Sequence, residues 1–376
     1  MNTLDTKYLA LLDYIMSNGK VKKDRTGIGT ISIFGYDMRI DLSEGLSLLT
    51  TKYVHYPAVL HELLWFLMGG TDIKYLEDNN VRIWRQWPFK KYQEAPLDQL
   101  AATDFISDPG RVRRHFYMDE YVYAVKNVPG FAERHGRVGK VYGAQWVNWT
   151  WPRYVGDGSI DVVRALELAA ADLPYPEYRI DGWNQIEMLM HTLRTNPDSR
   201  RMLVTAWNPP EMEDAALPCC HYAFQCYTSE LSDDERLNLL DDDDKMNFIG
   251  RADVPMRELL DAVNAPKRKL SLKFNMRSCD LFLGGPFDIA SYSILTHMIC
   301  KQLNYIPDEL IMSIGDAHLY LNSIDAAKLQ LQREPYPDLS KLVLNDTVKN
   351  IFDYKYDDFD VEGYKYHPAI KVQVAV

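Results

Sequence analysis

Between residues 270 and 277 apolar and polar side chains alternate without a break. Leu270, Leu272, Phe274 and Met276 share one face, and Ser271, Lys273, Asn275 and Arg277 share the other. A repeat of two marks a strand with one face packed and the other polar, so the chain must build a sheet with a core against it. That strand delivers Arg277 at the end of its polar face, directly before Ser278, Cys279 and Asp280. A glycine turn, Gly284-Gly285-Pro286, follows, and residues 291–303 read as a largely apolar helix. Helical spacing also covers residues 5–16, stopped by Asn18-Gly19, and residues 57–68, with Pro57 in the first turn and Gly69-Gly70 at the end. Residues 30–40, rich in β-branched and aromatic side chains around Gly35, read as a pair of strands. The expected class is α/β.

A chain of 376 residues with 47% hydrophobic content can bury one large core or two ordinary ones. Three stretches, residues 88–137, 152–179 and 229–269, interrupt the patterning with charge, proline or glycine. They are expected to be insertions into a single domain spanning 1–376. The first residues carry Asp5 and Asp13 without the apolar run of a signal peptide, and no window approaches the roughly 18 apolar residues of a membrane span. Five cysteines with no CxxC pair and no zinc-like spacing agree with a reducing compartment, the cytoplasm, and indicate neither a disulfide scaffold nor a metal. The net charge of −11 argues against general nucleic-acid binding, which rests on clustered Lys and Arg. The acidic run at 241–244 is expected to be a solvated loop.

Two residues stand out chemically. Glu62 lies in the 57–68 helix among Val59, Trp65 and Phe66, so its carboxyl is expected against apolar surface. Either it reaches to the helix edge, or it is held with a raised pKa for proton transfer. Cys220 sits between Cys219 and His221, which admits a buried structural thiol, a vicinal redox pair or a nucleophile. A Cys220–His221 hydrolase dyad is disfavoured, because neighbours on a strand face opposite ways. One use of a nucleophilic thiolate is addition to C6 of a pyrimidine, which places electron density on C5. Such a site also needs a group to remove the C5 proton, polar contacts to the ring and cations for a phosphate.

Ordered motifs along the chain supply these parts together. They are Asp24-Arg25-Thr26-Gly27, the run from His61 to Leu67, Ile83-Trp84, Tyr142-Gly143, Asp198-Ser199-Arg200-Arg201, Ala206-Trp207-Asn208, and Leu217 through His221. Arg277-Ser278-Cys279-Asp280, Phe282-Leu283-Gly284, Pro286-Phe287, Ile289-Ala290-Ser291-Tyr292, Gly315 through Tyr320 and Ile351-Phe352-Asp353-Tyr354 follow. In content and order these resemble the thymidylate synthase family, over most of the chain outside the three stretches. The resemblance implies that family's fold, a mixed sheet flanked by helices, and transfer of a one-carbon unit from 5,10-methylenetetrahydrofolate to C5 of a pyrimidine deoxynucleoside monophosphate. It implies Cys220 as the nucleophile, Glu62 as a proton relay, Tyr142 in removal of the C5 proton, and Asp288 and His221 in the catalytic set. By the same resemblance Arg25, Arg200, Arg201 and Arg277 hold the phosphate, Ser278 and Asp280 join the substrate site, and His318 and Tyr320 take the 3′-hydroxyl. Ile83, Trp84, Trp87, Leu217, Asp280, Gly284, Phe287 and the terminal Val376 would contact the folate. In the family the paired arginines come from the partner subunit, so a homodimer with shared sites is implied. Four guanidiniums would make a cationic pocket inside an acidic protein.

Three departures from the family bear on the substrate. Asp288 stands where thymidylate synthases carry an asparagine that reads the uracil edge. Uracil offers an N3–H donor and an O4 acceptor, which an amide matches; cytosine offers the reverse, which a protonated carboxyl matches, or an ionised one if N3 carries the proton. Asp288 therefore predicts dCMP over dUMP. Met276 stands in place of a glutamine, and bacteriophage deoxycytidylate hydroxymethylases are similar at both positions. Cys219 replaces the usual proline, with no derivable effect. The expected product is 5-hydroxymethyl-dCMP, made in a host cytoplasm if the chain is phage-encoded. The alternatives are 5-methyl-dCMP, dTMP from dUMP, and a nucleotide-binding interaction protein that has lost catalysis.

Overall fold

The computed structural model describes residues 2–95, 117–154, 178–246, 248 and 254–374. Its centre is a six-stranded sheet of β1 (Lys20–Lys22), β2 (Thr30–Asp41), β5 (Leu203–Thr205), β6 (His221–Glu230), β7 (Arg268–Asp280) and β8 (Ile306–Tyr320), in the order β1-β2-β8-β7-β6-β5. The alternating segment at 270–277 is the middle of β7 and keeps its alternation: Leu270, Leu272, Phe274 and Met276 are buried, while Lys273, Asn275 and Arg277 are not. Cross-strand register carries the apolar face through the sheet. Cys226, Leu272, Leu310 and Ile40 form one rank; Phe224, Phe274, Met312 and Met38 form the next. The opposite face is polar or open to solvent, with Tyr227 and Leu203 exposed and Lys273 beside Asp37.

All neighbours are antiparallel except β7 and β8, which are parallel and therefore need a crossover. The crossover is a helix, Gly285–Leu303, buried almost all round because it lies between the sheet and the helix Tyr56–Leu67. It begins six residues before the predicted start. The glycine turn is instead its first turn, since Pro286 is tolerated where no N–H is needed. Asp288 thus belongs to a helix N-terminus.

The other helices are α1 (Thr3–Asn18), α2 (Tyr56–Leu67), α3 (Lys74–Asp78), α4 (Gln86–Glu94), α5 (Met118–Asn127), α6 (Phe131–His135), α7 (Tyr142–Val147) and α8 (Gln185–Thr195). Then come α9 (Asp233–Asn238), α10 (Asp242–Met246), α11 (Met256–Ala262), the crossover α12 and α13 (Ile324–Leu331). α1 buries Leu4, Tyr8, Leu11, Leu12 and Ile15, an amphipathic stripe capped by the Asn2 side chain. Residues 30–41 form one strand instead of two, because the pairing with β8 keeps one register across Gly35, from Phe34 opposite Asp316 to Tyr36 opposite Ile314, even though Gly35 sits at φ +81°. The 241–244 run opens α10 and is not a loop, although Asp241, Asp242 and Asp243 are exposed as expected; carboxylates in a first turn favour a helix N-terminus. Two-stranded pairs β3–β4 (Trp149–Tyr154 and Tyr178–Trp183) and β9–β10 (Lys341–Leu344 and Phe359–Glu362) complete the sheet structure.

The described parts of the first and third irregular stretches are largely helical. Tyr92 of α4, Tyr121 of α5 and Phe131 of α6 stack within 6 Å of one another in the main apolar cluster. Most of the second stretch, and residues 96–116 of the first, lie outside the described residues. No helix among the described residues is long and apolar enough to cross a membrane, and no group of three His, Cys, Asp or Glu side chains among them could hold a metal ion.

Candidate active site

Where β7 and β8 run parallel, their carboxyl ends open a crevice, the usual ligand position in sheets with parallel strands. A cavity of about 770 Å³ lies there. β7 contributes Met276, Arg277, Ser278 and Asp280, β8 contributes His318 and Tyr320, and the N-terminus of α12 contributes Gly284, Phe287 and Asp288. The start of β6 brings Cys220 and His221, with Leu217 just before them. Arg25 enters from the β1–β2 loop, Glu62 from α2, Tyr142 from α7, Ile83 and Trp84 from the turn between α3 and α4, and Trp87 from the first turn of α4. Seventeen predicted residues from distant parts of the chain therefore share one cavity.

Three do not. Arg200 and Arg201 are exposed, away from the cavity of this single chain. Val376 lies outside the described residues, although Gln373 and Val374 just before it do line the cavity. Sequence reasoning missed those two, with Arg82, Gln86, Cys279 and Leu283. Arg82 and Gln86 adjoin the Ile83-Trp84 motif, and adjacency was the one signal available for them.

Cys220 is held by its backbone. Its N–H donates to the Tyr142 hydroxyl at 2.7 Å, and the phenol also lies against the thiol, lowering a pKa that burial raises. Arg277 donates through Nε to the Cys219 carbonyl at 2.9 Å and through Nη2 to the Pro218 carbonyl at 2.8 Å, which brings Nη2 to 3.6 Å from the Cys220 sulfur. Burial raises the Cys220 thiol pKa and Arg277 pulls it back. Cys219 is fully buried, its thiol pushed up to about 12 by burial, so it takes no part as a thiolate.

Cys220 and His221 both line the cavity: Cys220 precedes β6, which starts at His221, so strand alternation does not separate them. No hydrolase dyad results, because His221 has other partners. Its Nδ1 lies 2.9 Å from the Tyr292 hydroxyl, and its ring stacks on Tyr142 at 3.8 Å. Burial pushes its pKa down to about 3, so it is neutral, and its 3.7 Å approach to Asp288 is no ion pair at neutral pH.

Glu62 does not reach a helix edge into solvent: it faces the cavity and accepts from the Trp84 indole N–H at 2.7 Å. Burial raises its pKa to about 7, opposed by that hydrogen bond. Asp288 is raised well above the carboxylate range, first by burial and then by the charges of Glu62 and Asp280. The N-terminus of α12 favours the opposite, but such a dipole is worth about 1 kcal/mol and burial outweighs it. No hydrogen bond from the Asp288 side chain to the rest of the protein occurs among the described residues, and 21% of the side chain stays open to the cavity. Asp280 accepts from the N–H groups of Phe282 and Leu283 at 3.1 and 3.2 Å, and burial raises its pKa as well.

The cleft thus sets a half-buried thiol beside an arginine, with two carboxyls whose pKa burial raises. The family model for thymidylate synthase matches residues 6–376. The chain belongs to the thymidylate synthase family. It is 36% identical over 370 residues to a thymidylate synthase of Malacoplasma penetrans and 37% identical over 370 residues to one of Mycoplasma mobile. In both cases the match covers 98% of this chain and 99% of the relative. The chain is therefore a transferase of a family that uses 5,10-methylenetetrahydrofolate, binds a nucleotide and works as a dimer. Its residues fit the folate: Ile83, Trp84, Trp87 and Phe287 offer a flat apolar wall of the kind a pterin and its aryl ring require, beside the polar Asp280.

Proposed function

We propose that this chain transfers a one-carbon unit to C5 of dCMP, yielding 5-hydroxymethyl-dCMP, with Cys220 as the nucleophile. The observation that carries the reading is the Asp288 carboxyl: it faces the cavity without a protein hydrogen-bond partner among the described residues, and burial pushes its pKa well up, toward the protonated form. A neutral acid donates to cytosine N3 and accepts from the N4 amino group, whereas uracil meets a donor with its own N3–H. Arg25 and Arg277 take the phosphate, with Ser278 beside them, and His318 and Tyr320 the deoxyribose. Arg200 and Arg201 serve the neighbouring site of a homodimer, which agrees with their exposure here. Val376, outside the described residues, is proposed to contact the folate.

The Cys220 sulfur adds to C6 of the base and the electron pair of the C5–C6 bond moves to C5. When bound, 5,10-methylenetetrahydrofolate supplies the electrophilic methylene carbon that C5 attacks. Tyr142, placed against Cys220, assists loss of the C5 proton, and Glu62, with a pKa of about 7, relays protons at the base. Departure of the carrier leaves an exocyclic methylene on C5. Water adds its oxygen to that carbon and gives up a proton, the electron pair returns to the C5–C6 bond, and the thiolate leaves.

Specific observations favour a second outcome, methyl transfer. The Trp84 and Trp87 wall and the Gln373-Val374 tail line the cavity, where they would keep water from the methylene, and both relatives above are thymidylate synthases. One experiment separates the outcomes. Incubating C5-tritiated dCMP and dUMP with the enzyme and methylenetetrahydrofolate reports transfer as tritium release, and the product mass distinguishes added CH₂O from added CH₂. Tritium release from dCMP with gain of CH₂O is expected. Gain of CH₂ overturns the hydroxymethyl product, and release from dUMP alone overturns the substrate.

A further inference from the structure

The wall formed by Ile83, Trp84 and Trp87 has no strand beneath it. It stands on the turn between α3 and α4 and on the first turn of α4 that follows, and the turn is fixed at both ends. At its start Asn80, at φ +61°, ends α3 with paired backbone bonds, Asn80 N–H to the Glu77 carbonyl at 3.0 Å and Val81 N–H to the Leu76 carbonyl at 2.8 Å, over the buried contact of Val81 with Leu76. At its end Arg85 reaches back to the same helix. Its Nε and Nη2 meet the two oxygens of Glu77 at 2.9 and 2.5 Å, a bidentate pair with Glu77 1% and Arg85 14% exposed. The neighbouring Lys74–Asp78 pair on α3 is a contrast, each side chain more than 40% exposed.

We propose that the Glu77–Arg85 pair is a positioning device for the folate wall, fixing the turn so that Trp84 and Trp87 meet the pterin-bearing ligand. The proposal rests on the reading that these tryptophans face the folate. A buried pair gives direction more reliably than stability, and the planar fork of Arg85 fixes both the distance and the plane of the turn against α3. Trp84 passes the constraint inward, because its indole N–H holds Glu62.

The test is calorimetric titration of folic acid, which lacks the transferable carbon, into enzyme saturated with nucleotide. The double variant Glu77→Leu/Arg85→Met removes both charges but keeps apolar volume, an exchange buried pairs commonly tolerate. It should bind folic acid about tenfold more weakly, as a wall misplaced by a fraction of an ångström would, with nucleotide affinity and Tm unchanged. Arg85→Lys, which keeps the charge and loses the fork, should fall between. Wild-type folic acid affinity in the folded double variant overturns the proposal; if that variant does not fold, wild-type affinity in Arg85→Lys does so. Trp87→Leu separates the two readings. Unchanged affinity there defeats the tryptophan–folate reading itself, whereas a loss there with none in the pair variants defeats the positioning device alone.

Discussion

The cavity's end at Cys220 and Arg277 is assembled from strand ends, whereas its end at Trp84 and Trp87 stands on a turn and the helix start that follows it. On the first, β6, β7 and β8 fix the side chains through paired strands, and Arg277 is tied by two hydrogen bonds to the carbonyls of the nucleophile loop. On the second, one ion pair and one helix cap hold the aromatic wall. The sheet-built end suits groups whose placement the chemistry cannot relax. The turn-built end suits a surface that closes on a flat ligand.

Cys220→Ser probes the sheet-built end most severely. Loss of the sulfur should lower turnover about 10⁴-fold or more, measured by C5 tritium release. Cys219→Ser should leave turnover nearly intact, since that thiol is buried outside the cavity. Equal losses would make the two cysteines a functional pair and break the account of this end.

Glu62 joins the two ends through Trp84 and gives a pH-dependent prediction. Its pKa is raised in the fold, so its contribution to stability is full below about 4.5 and is lost as pH rises through about 7. Glu62→Gln should therefore gain stability over wild type near pH 8, at most about 3 kcal/mol because the group faces the cavity, and the gain should vanish below about pH 4.5. Thermal melts at both pH values check this. A gain independent of pH would mean that the carboxyl is not held against its charge.

Arg277→Ala should weaken nucleotide binding by about 2 kcal/mol, roughly thirtyfold, since a charge-assisted hydrogen bond is lost. Folate affinity should change far less. A nucleoside without phosphate should bind the wild type poorly, and calorimetry on both ligands tests the division. Equal loss of both would mean that Arg277 supports the whole crevice through its bonds to Pro218 and Cys219.

The contrast between the two ends also governs what could be read from the sequence. β7 was legible because one packed face imposes a period of two, and α1 because five apolar positions fall on one stripe. Residues 30–41 misled because Gly35 looks the same in a turn and inside a continuous strand. Asp288 was placed after a glycine turn because Gly284, Gly285 and Pro286 serve a helix start as readily as a loop. Most site residues were found by family resemblance, since nothing local says that Glu62, Cys220 and Asp288 converge. Strand alternation spoke against a Cys220–His221 dyad, and none forms, but the reason is that His221 pairs with Tyr292 and Tyr142. The Glu77–Arg85 pair left no sequence signal: an acidic and a basic residue eight positions apart are ordinary until the fold buries them.

The substrate claim rests on Asp288, and its most direct test is kcat/KM for dCMP and dUMP in the wild type and in Asp288→Asn, followed by C5 tritium release. The wild type should prefer dCMP, and the asparagine should move preference toward dUMP by at least about tenfold, because each mismatched buried hydrogen bond costs about 1 to 3 kcal/mol. A wild type that prefers dUMP, with Asp288→Asn leaving that preference in place, would contradict the claim.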